Sequence, residues 1–171
     1  MIRTIDGRDL EACANDDFVL WREPKVATAV VVEAPDGIVL GRRSIEPGYG
    51  EWCLPGGFVN YDEDPASAAA RECREEIGAV VRLEELLGVY HVSKAAASSI
   101  VGIAYRGVLA EGEAISAGPE MFEVAILRPD ELPALAFPSH REVLAMYAGA
   151  RVRSASPPSP ARAGSRPLRM P

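Results

Sequence analysis

Apolar residues run almost unbroken through residues 26–33, VATAVVVE, and then recur in shorter blocks separated by turn residues. A valine-rich run of this length reads as a buried strand. Pro35-Asp36-Gly37 marks a turn, and residues 37–42 read as the partner strand. Residues 53–59 read as a short strand broken by two glycines. From Pro65 to Ile77 no glycine interrupts, and the single β-branched residue comes last, so a helix is predicted there. Asp64 is its expected N-cap. Pro65 takes the first helical position, where a missing N–H costs nothing, and Gly78 is a natural stop. Residues 86–92, 100–110 and 123–127 read as strands. Residues 139–148 read as a closing helix, with Leu144, Ala145 and Ala148 on its apolar face and Ser139 as its cap. Strands outnumber helices and are mixed with them. The expected class is α/β, a mixed β-sheet sandwiched between helices in an α/β/α arrangement.

The helix over residues 65–77 carries the chemistry. At about 100° per residue, Ala66, Ala70, Cys73 and Ile77 share one narrow stripe. Glu72, Glu75 and Glu76 fall nearly opposite, so this helix is expected to pack through small residues and hold three carboxylates away from the core. Like charges three and four apart repel. A fold gains little from such a cluster unless a cation neutralises it. Glu63 adds a fourth acid on the preceding loop. Leu54-Pro55-Gly56-Gly57 ends an apolar run, and two glycines allow a close backbone approach to a ligand or ion. Carboxylates with one backbone carbonyl make a site for a hard cation, Mg²⁺ or Mn²⁺. An acidic helix on its own is more often just a solvated face; the full spacing alters that weighing.

The chain has 171 residues, 48% of them apolar, enough for the core of one domain. Its net charge of −7 conceals an asymmetry. Residues 150–171 hold five arginines and no acid, leaving 13 basic and 25 acidic groups in the first 149 residues, a net of −12. Such a body argues against a nucleic-acid partner, because it offers no basic stripe. It suits small anionic substrates if cations bridge them. Residues 151–171, rich in Pro, Ser, Arg and Ala, read as a disordered basic tail from about residue 150. Cys13, Cys53 and Cys73 form no pair spacing, MIRTIDGRDLEA has no apolar leader core, and no run is long enough to span a membrane. A cytoplasmic protein without a membrane partner is expected.

Gly57, five residues, Glu63, seven residues, Arg71-Glu72, two residues, Glu75-Glu76, one residue and Gly78 match the Nudix box at each invariant position. The chain therefore resembles the Nudix hydrolases, over roughly residues 24–147. Cys73 and Ala79 stand where a bulky aliphatic is usual, a departure of packing and not of metal chemistry. Pro24-Lys25-Val26-Ala27, Arg42-Arg43-Ser44-Ile45-Glu46-Pro47, Leu54-Pro55-Gly56-Gly57-Phe58 and Leu135-Ala136-Phe137-Pro138-Ser139 resemble the branch with a zinc ribbon ahead of the Nudix domain, related to FAD and ADP-ribose pyrophosphatases. Residues 1–23 then correspond to a degenerate ribbon and residues 24–149 to the Nudix domain. Cys13-Ala14-Asn15-Asp16 keeps one ligand of a C-x-x-C pair, and one thiolate cannot hold structural zinc, so none is expected.

The resemblance implies Mg²⁺-dependent hydrolysis of a nucleoside diphosphate linked to another group. Glu72 and Glu76 would be the main metal ligands, Glu75 a further one, and the Gly56 carbonyl the backbone ligand. Glu63 would pair with Arg71. Glu123 stands where many members carry a further acid, as ligand or base; Glu75 and Glu76 are the other candidates to take the proton. Arg42 and Arg43 are candidates to grip a phosphate. His91 and His140 are expected to be structural or surface residues. Trp52 is expected to pack, Trp21 to be left from the ribbon junction, and Tyr90 and Phe122 to pack in the core more readily than to stack on a base. No SQPW run follows the box and no proline lies in residues 94–97. The branch-level expectation is ADP-ribose, FAD or a similar dinucleotide. The alternative is a non-catalytic nucleotide sensor, although such modules tend to lose box glutamates. RNA processing fits poorly with the acidic body. A homodimer is implied by analogy.

Overall fold

The computed structural model describes residues 1–21, 23–94 and 98–155. Nine strands and two helices are arranged in chain order among them. β1 (Ile2–Ile5), β2 (Arg8–Ala12) and β3 (Val19–Leu20) form a small antiparallel sheet. The main sheet comprises β4 (Lys25–Ala34), β5 (Gly37–Arg43), β6 (Trp52–Cys53), β7 (Val81–Lys94), β8 (Ser98–Leu109) and β9 (Met121–Leu127). Its order is β6-β5-β4-β8-β7, with β9 on β5. β4 runs parallel to β8, Val30 beside Tyr105, and the remaining pairs are antiparallel. The mixed sheet expected from the sequence is present.

Alternation along β4 explains the sandwich. Ala29 and Val31 join Leu40, Val143 and Tyr147 in one buried cluster, which takes in α2 (Pro138–Ala155). Val30 and Val32 join Ala69, Cys73 and Ile77 of α1 (Pro65–Ile77) in the other. With both faces covered, β4 has to read as a continuous apolar run. α2 is longer than the predicted 139–148 and continues through residues 150–155, which composition had placed in the tail. The rest of that expected tail, residues 156–171, lies outside the described residues, as do residues 95–97.

The feature that builds the site is a split in the sheet. β5 pairs with β4 only near their shared turn, Glu33 with Ile38 and Ala34 with Gly37. Further along, the segment that follows β6 lies against β4 instead. Val30 N–H donates to Pro55 O and Thr28 N–H to Gly57 O, both at 2.8 Å, and Val59 N–H donates to Val26 O at 3.0 Å. The predicted strand over 53–59 is thus a two-residue strand followed by a loop that borrows the edge of β4. Gly56 makes this approach feasible. Its φ is 147°, and a Cβ there would meet Thr28 O at 2.2 Å.

Candidate active site

α1 forms over the predicted residues and is capped as predicted. Asp64 Oδ1 accepts from the N–H groups of Ala66 and Ser67, each at 3.0 Å. Gly78 takes the left-handed conformation and donates to Arg74 O. The buried face differs from expectation. Ala66 is exposed, whereas Ala68, Ala69, Cys73, Glu76 and Ile77 are buried. Glu76 is therefore not held away from the protein; it is 4% exposed. The helix wheel assumed one packing face, but α1 also packs against the glycine loop, and Glu76 points there. Its Oε2 accepts from Gly56 N–H at 2.8 Å.

Burial pushes the Glu76 carboxyl up to about 8, with the charges of Glu72 and Glu120 adding to it and the Gly56 N–H and Arg43 opposing. Glu72 is also raised, mainly by desolvation. Glu72 reaches the same loop: a Cβ on Gly57 would lie 2.5 Å from its carboxyl carbon. Arg71 holds the remaining acids. Its Nε and Nη2 grip Glu63 in a two-pronged pair at 2.9 Å, and its Nη1 donates to Glu72 at 2.8 Å and Glu75 at 3.0 Å. Nη2 also donates to Phe58 O at 3.1 Å, fastening loop to helix. The pair with Arg71 is the main reason that the Glu63 carboxyl lies below its ordinary range.

Glu75 is on the exposed side of this group, linked to it through Arg71. Glu123 is elsewhere. It faces Arg42 across the β5–β9 pair, at 3.5 Å. The acid that reaches the box glutamates from outside the helix is Glu120, whose charge acts on both Glu72 and Glu76. Residues 114–120 pack on the end of α1, where Ser116 N–H donates to Ile77 O at 2.9 Å and Gly118 N–H to Glu76 O at 3.0 Å. No sequence pattern marked Glu120; the sole hint was an acid just ahead of a predicted strand.

Arg42 and Arg43 diverge, as neighbours on a strand must. Arg43 is buried, donates from Nε to Pro47 O at 2.7 Å and lies over the Phe137 ring at 5.1 Å. Arg42 is half-exposed and donates from Nε to Gly50 O at 3.0 Å. His140 is structural: its Nδ1 accepts from Leu54 N–H at 3.1 Å, and burial pushes its pKa down to about 4. His91 Nε2 hydrogen-bonds Ser99 Oγ at 2.7 Å. Trp52 packs on the α2-side core, as does Tyr90. Phe122, by contrast, is 50% exposed.

Whether these residues suit a hard cation can be judged from the donors. As they stand, no three His, Cys, Asp or Glu side chains among the described residues gather to hold a metal ion. Arg71 takes up Glu72 and Glu75. The donor chemistry nevertheless fits. Glu76 is a buried carboxyl that accepts a hydrogen bond from the Gly56 backbone N–H, and a charge buried there requires compensation. Thr28, next to the glycine loop on the α1 face of β4, has a buried hydroxyl with no partner among the described residues. All candidate ligands are oxygens, as Mg²⁺ and Mn²⁺ prefer.

The family model for the Nudix domain matches residues 23–147. The chain belongs to the Nudix family. This Nudix protein is 31% identical over 146 residues to an ADP-ribose pyrophosphatase of Methanocaldococcus jannaschii, covering 85% of this chain and 82% of the relative. It is 37% identical over 107 residues to a MutT-like protein of Streptomyces ambofaciens, 63% of this chain and 66% of that one. A Nudix hydrolase from Nitrosomonas europaea superposes with a TM-score of 0.78 at 29% identity, over 90% of this chain and 87% of that structure.

Proposed function

We propose that this Nudix hydrolase cleaves the pyrophosphate bond of a nucleoside diphosphate linked to another group, ADP-ribose foremost, and releases a nucleoside monophosphate. The observation that carries the reading is Glu76, a carboxylate buried against the Gly56 loop beside Glu72 and Glu120. The likeness to an ADP-ribose pyrophosphatase, over most of both chains, supports the substrate class.

Glu72, Glu75, Glu76 and the Gly56 carbonyl would hold Mg²⁺ or Mn²⁺, which screens the charge of the diphosphate and lowers the pKa of water. Arg71 fixes these acids to the loop through Glu63. In hydrolysis the water oxygen bonds to one phosphorus, the bridging P–O bond breaks, and the proton goes to a carboxylate. We assign that carboxylate to Glu120, rather than to Glu75, Glu76 or Glu123, the candidates named from the sequence. Glu120 is exposed, so it can exchange the proton with solvent, and its charge is felt by both box glutamates.

The same reading includes a cytoplasmic enzyme, supported by three free cysteines, and a homodimer by family analogy. The three-stranded N-terminal sheet is read as a ribbon remnant held by backbone pairing without zinc, since Cys13 has no thiol partner. No helix among the described residues is long and apolar enough to cross a membrane.

Turnover of ADP-ribose with Mg²⁺, followed by mass spectrometry of the released monophosphate, tests the proposal. Glu76→Gln should lower kcat by roughly two orders of magnitude or more while keeping the fold. Glu120→Gln should lose far more activity than Glu123→Gln. Full activity in Glu76→Gln would overturn the assignment. Nucleotide binding without turnover in the native enzyme would favour a sensor.

A further inference from the structure

We propose that Tyr49 and Phe122 form a platform on which the nucleobase of the substrate stacks; the inference rests on the hydrolase reading above. Both rings are large apolar groups left open to solvent, Tyr49 at 60% and Phe122 at 50% exposure. They come from different segments, yet they meet edge to face, with centroids 5.1 Å apart and planes at 90°. That geometry is favourable between rings and leaves ring faces free for a third aromatic system.

Arg42 fixes the pair. It donates from Nε to Gly50 O at 3.0 Å, next to Tyr49, and its Nη1 lies 3.5 Å from Glu123, next to Phe122. The register of β9 on β5 shifts here: Arg42 pairs with Glu123 and Arg43 with Met121, leaving Phe122 as the extra residue. Such a bulge re-aims side chains, and it exposes Phe122 and Glu123 together while Met121 stays buried. The platform begins two residues after Glu120. Ser44 N–H donates to Glu120 O at 2.8 Å, tying the Tyr49-bearing loop to the acidic group. A planar base on the rings would leave its phosphates directed toward the carboxylates, and the Glu123 and Arg42 pair would meet the polar edge of the base. This accounts for two aromatic rings and an ion pair that neither the core nor the hydrolytic group uses.

The test compares ADP-ribose with a diribosyl diphosphate lacking any base. Phe122→Ala should lower the ratio of kcat/KM for the first over the second by about tenfold, a typical stacking contribution, and Phe122→Tyr should restore it. An equal loss on both substrates, or no loss on either, overturns the proposal. Adenosine 5′-monophosphate provides a reading independent of turnover. Saturation-transfer NMR should show its ring protons against the native protein, with Kd weakened about tenfold by Phe122→Ala. An unchanged Kd also overturns the platform. If the native enzyme hydrolyses neither diphosphate, the hydrolase reading fails, and the monophosphate measurement still decides the platform.

Discussion

Glu76 and His140 lie on opposite sides of the same loop, and each is buried in the form its surroundings dictate. Glu76 meets the Gly56 N–H, whereas His140 takes the Leu54 N–H on a ring nitrogen, which requires that nitrogen to be unprotonated. With its pKa pushed down to about 4, His140 binds its proton less readily folded than unfolded. Its contribution to stability is therefore present above the unfolded value near 6.5 and is lost as pH falls through about 4. Glu76, raised to about 8, acts in the other direction: its burden on stability grows as pH rises from 4.5 toward that value. The two overlap, so the informative quantity is a difference between variants. His140→Asn keeps a neutral acceptor near Leu54 N–H. Denaturant melts should show the native protein losing about 3 kcal/mol more than this variant between pH 6.5 and 4. Parallel curves would remove His140 as the cause. At this scale the box acids were legible because their spacing is fixed by chemistry along one helix. Glu120 was not, since it joins them through a loop that folds back from beyond two strands, and Glu123 was favoured because the family resemblance places a further acid at that position.

Elements with local causes were readable to the residue. α1 starts at Pro65 and ends at Ile77 because Asp64 and Gly78 satisfy its ends from within the sequence. β6 was not readable, because the extended segment after it bonds to β4, a partner whose closeness depends on the splayed sheet. The loop before β9 is held in the same non-local way. Ser116 and Gly118 donate to the last carbonyls of α1, so one loop completes the helix and delivers Glu120. Gly118 permits the contact through size, since a Cβ there would lie 1.7 Å from Glu75 O. Gly118→Ala must push the loop off the helix. The expected cost is about 1–3 kcal/mol in a urea melt, with kcat falling more than KM changes. Reduced stability with native kcat would mean that the loop braces the helix without positioning Glu120.

Across the whole molecule, sequence pattern gave the layers but not their connections. A valine run covered on both faces implies helices on both sides, whereas the parallel pairing of β4 with β8 is set by packing of segments some seventy residues apart. The N-terminal sheet stands apart from this economy. Its strands contact chiefly one another. The two buried clusters begin at Ala29 and Val30, and no earlier residue contributes to either. The sheet has two buried apolar side chains, Leu10 and Ala12, while Ile2, Phe18, Leu20 and Trp21 remain open to solvent. A sheet of three short strands has little stability of its own. Folding of the catalytic body should therefore not depend on it. Deleting residues 1–22 should preserve cooperative unfolding and shift Tm by about 4 °C or less, because the deleted part adds no side chain to either core. Turnover of ADP-ribose should survive the deletion, as the acidic group and its loop all lie beyond residue 27. A collapse of Tm or loss of the cooperative transition would show that the sheet braces the body through contacts outside these clusters. Retained stability with lost turnover would instead place the N-terminal sheet in the substrate's path.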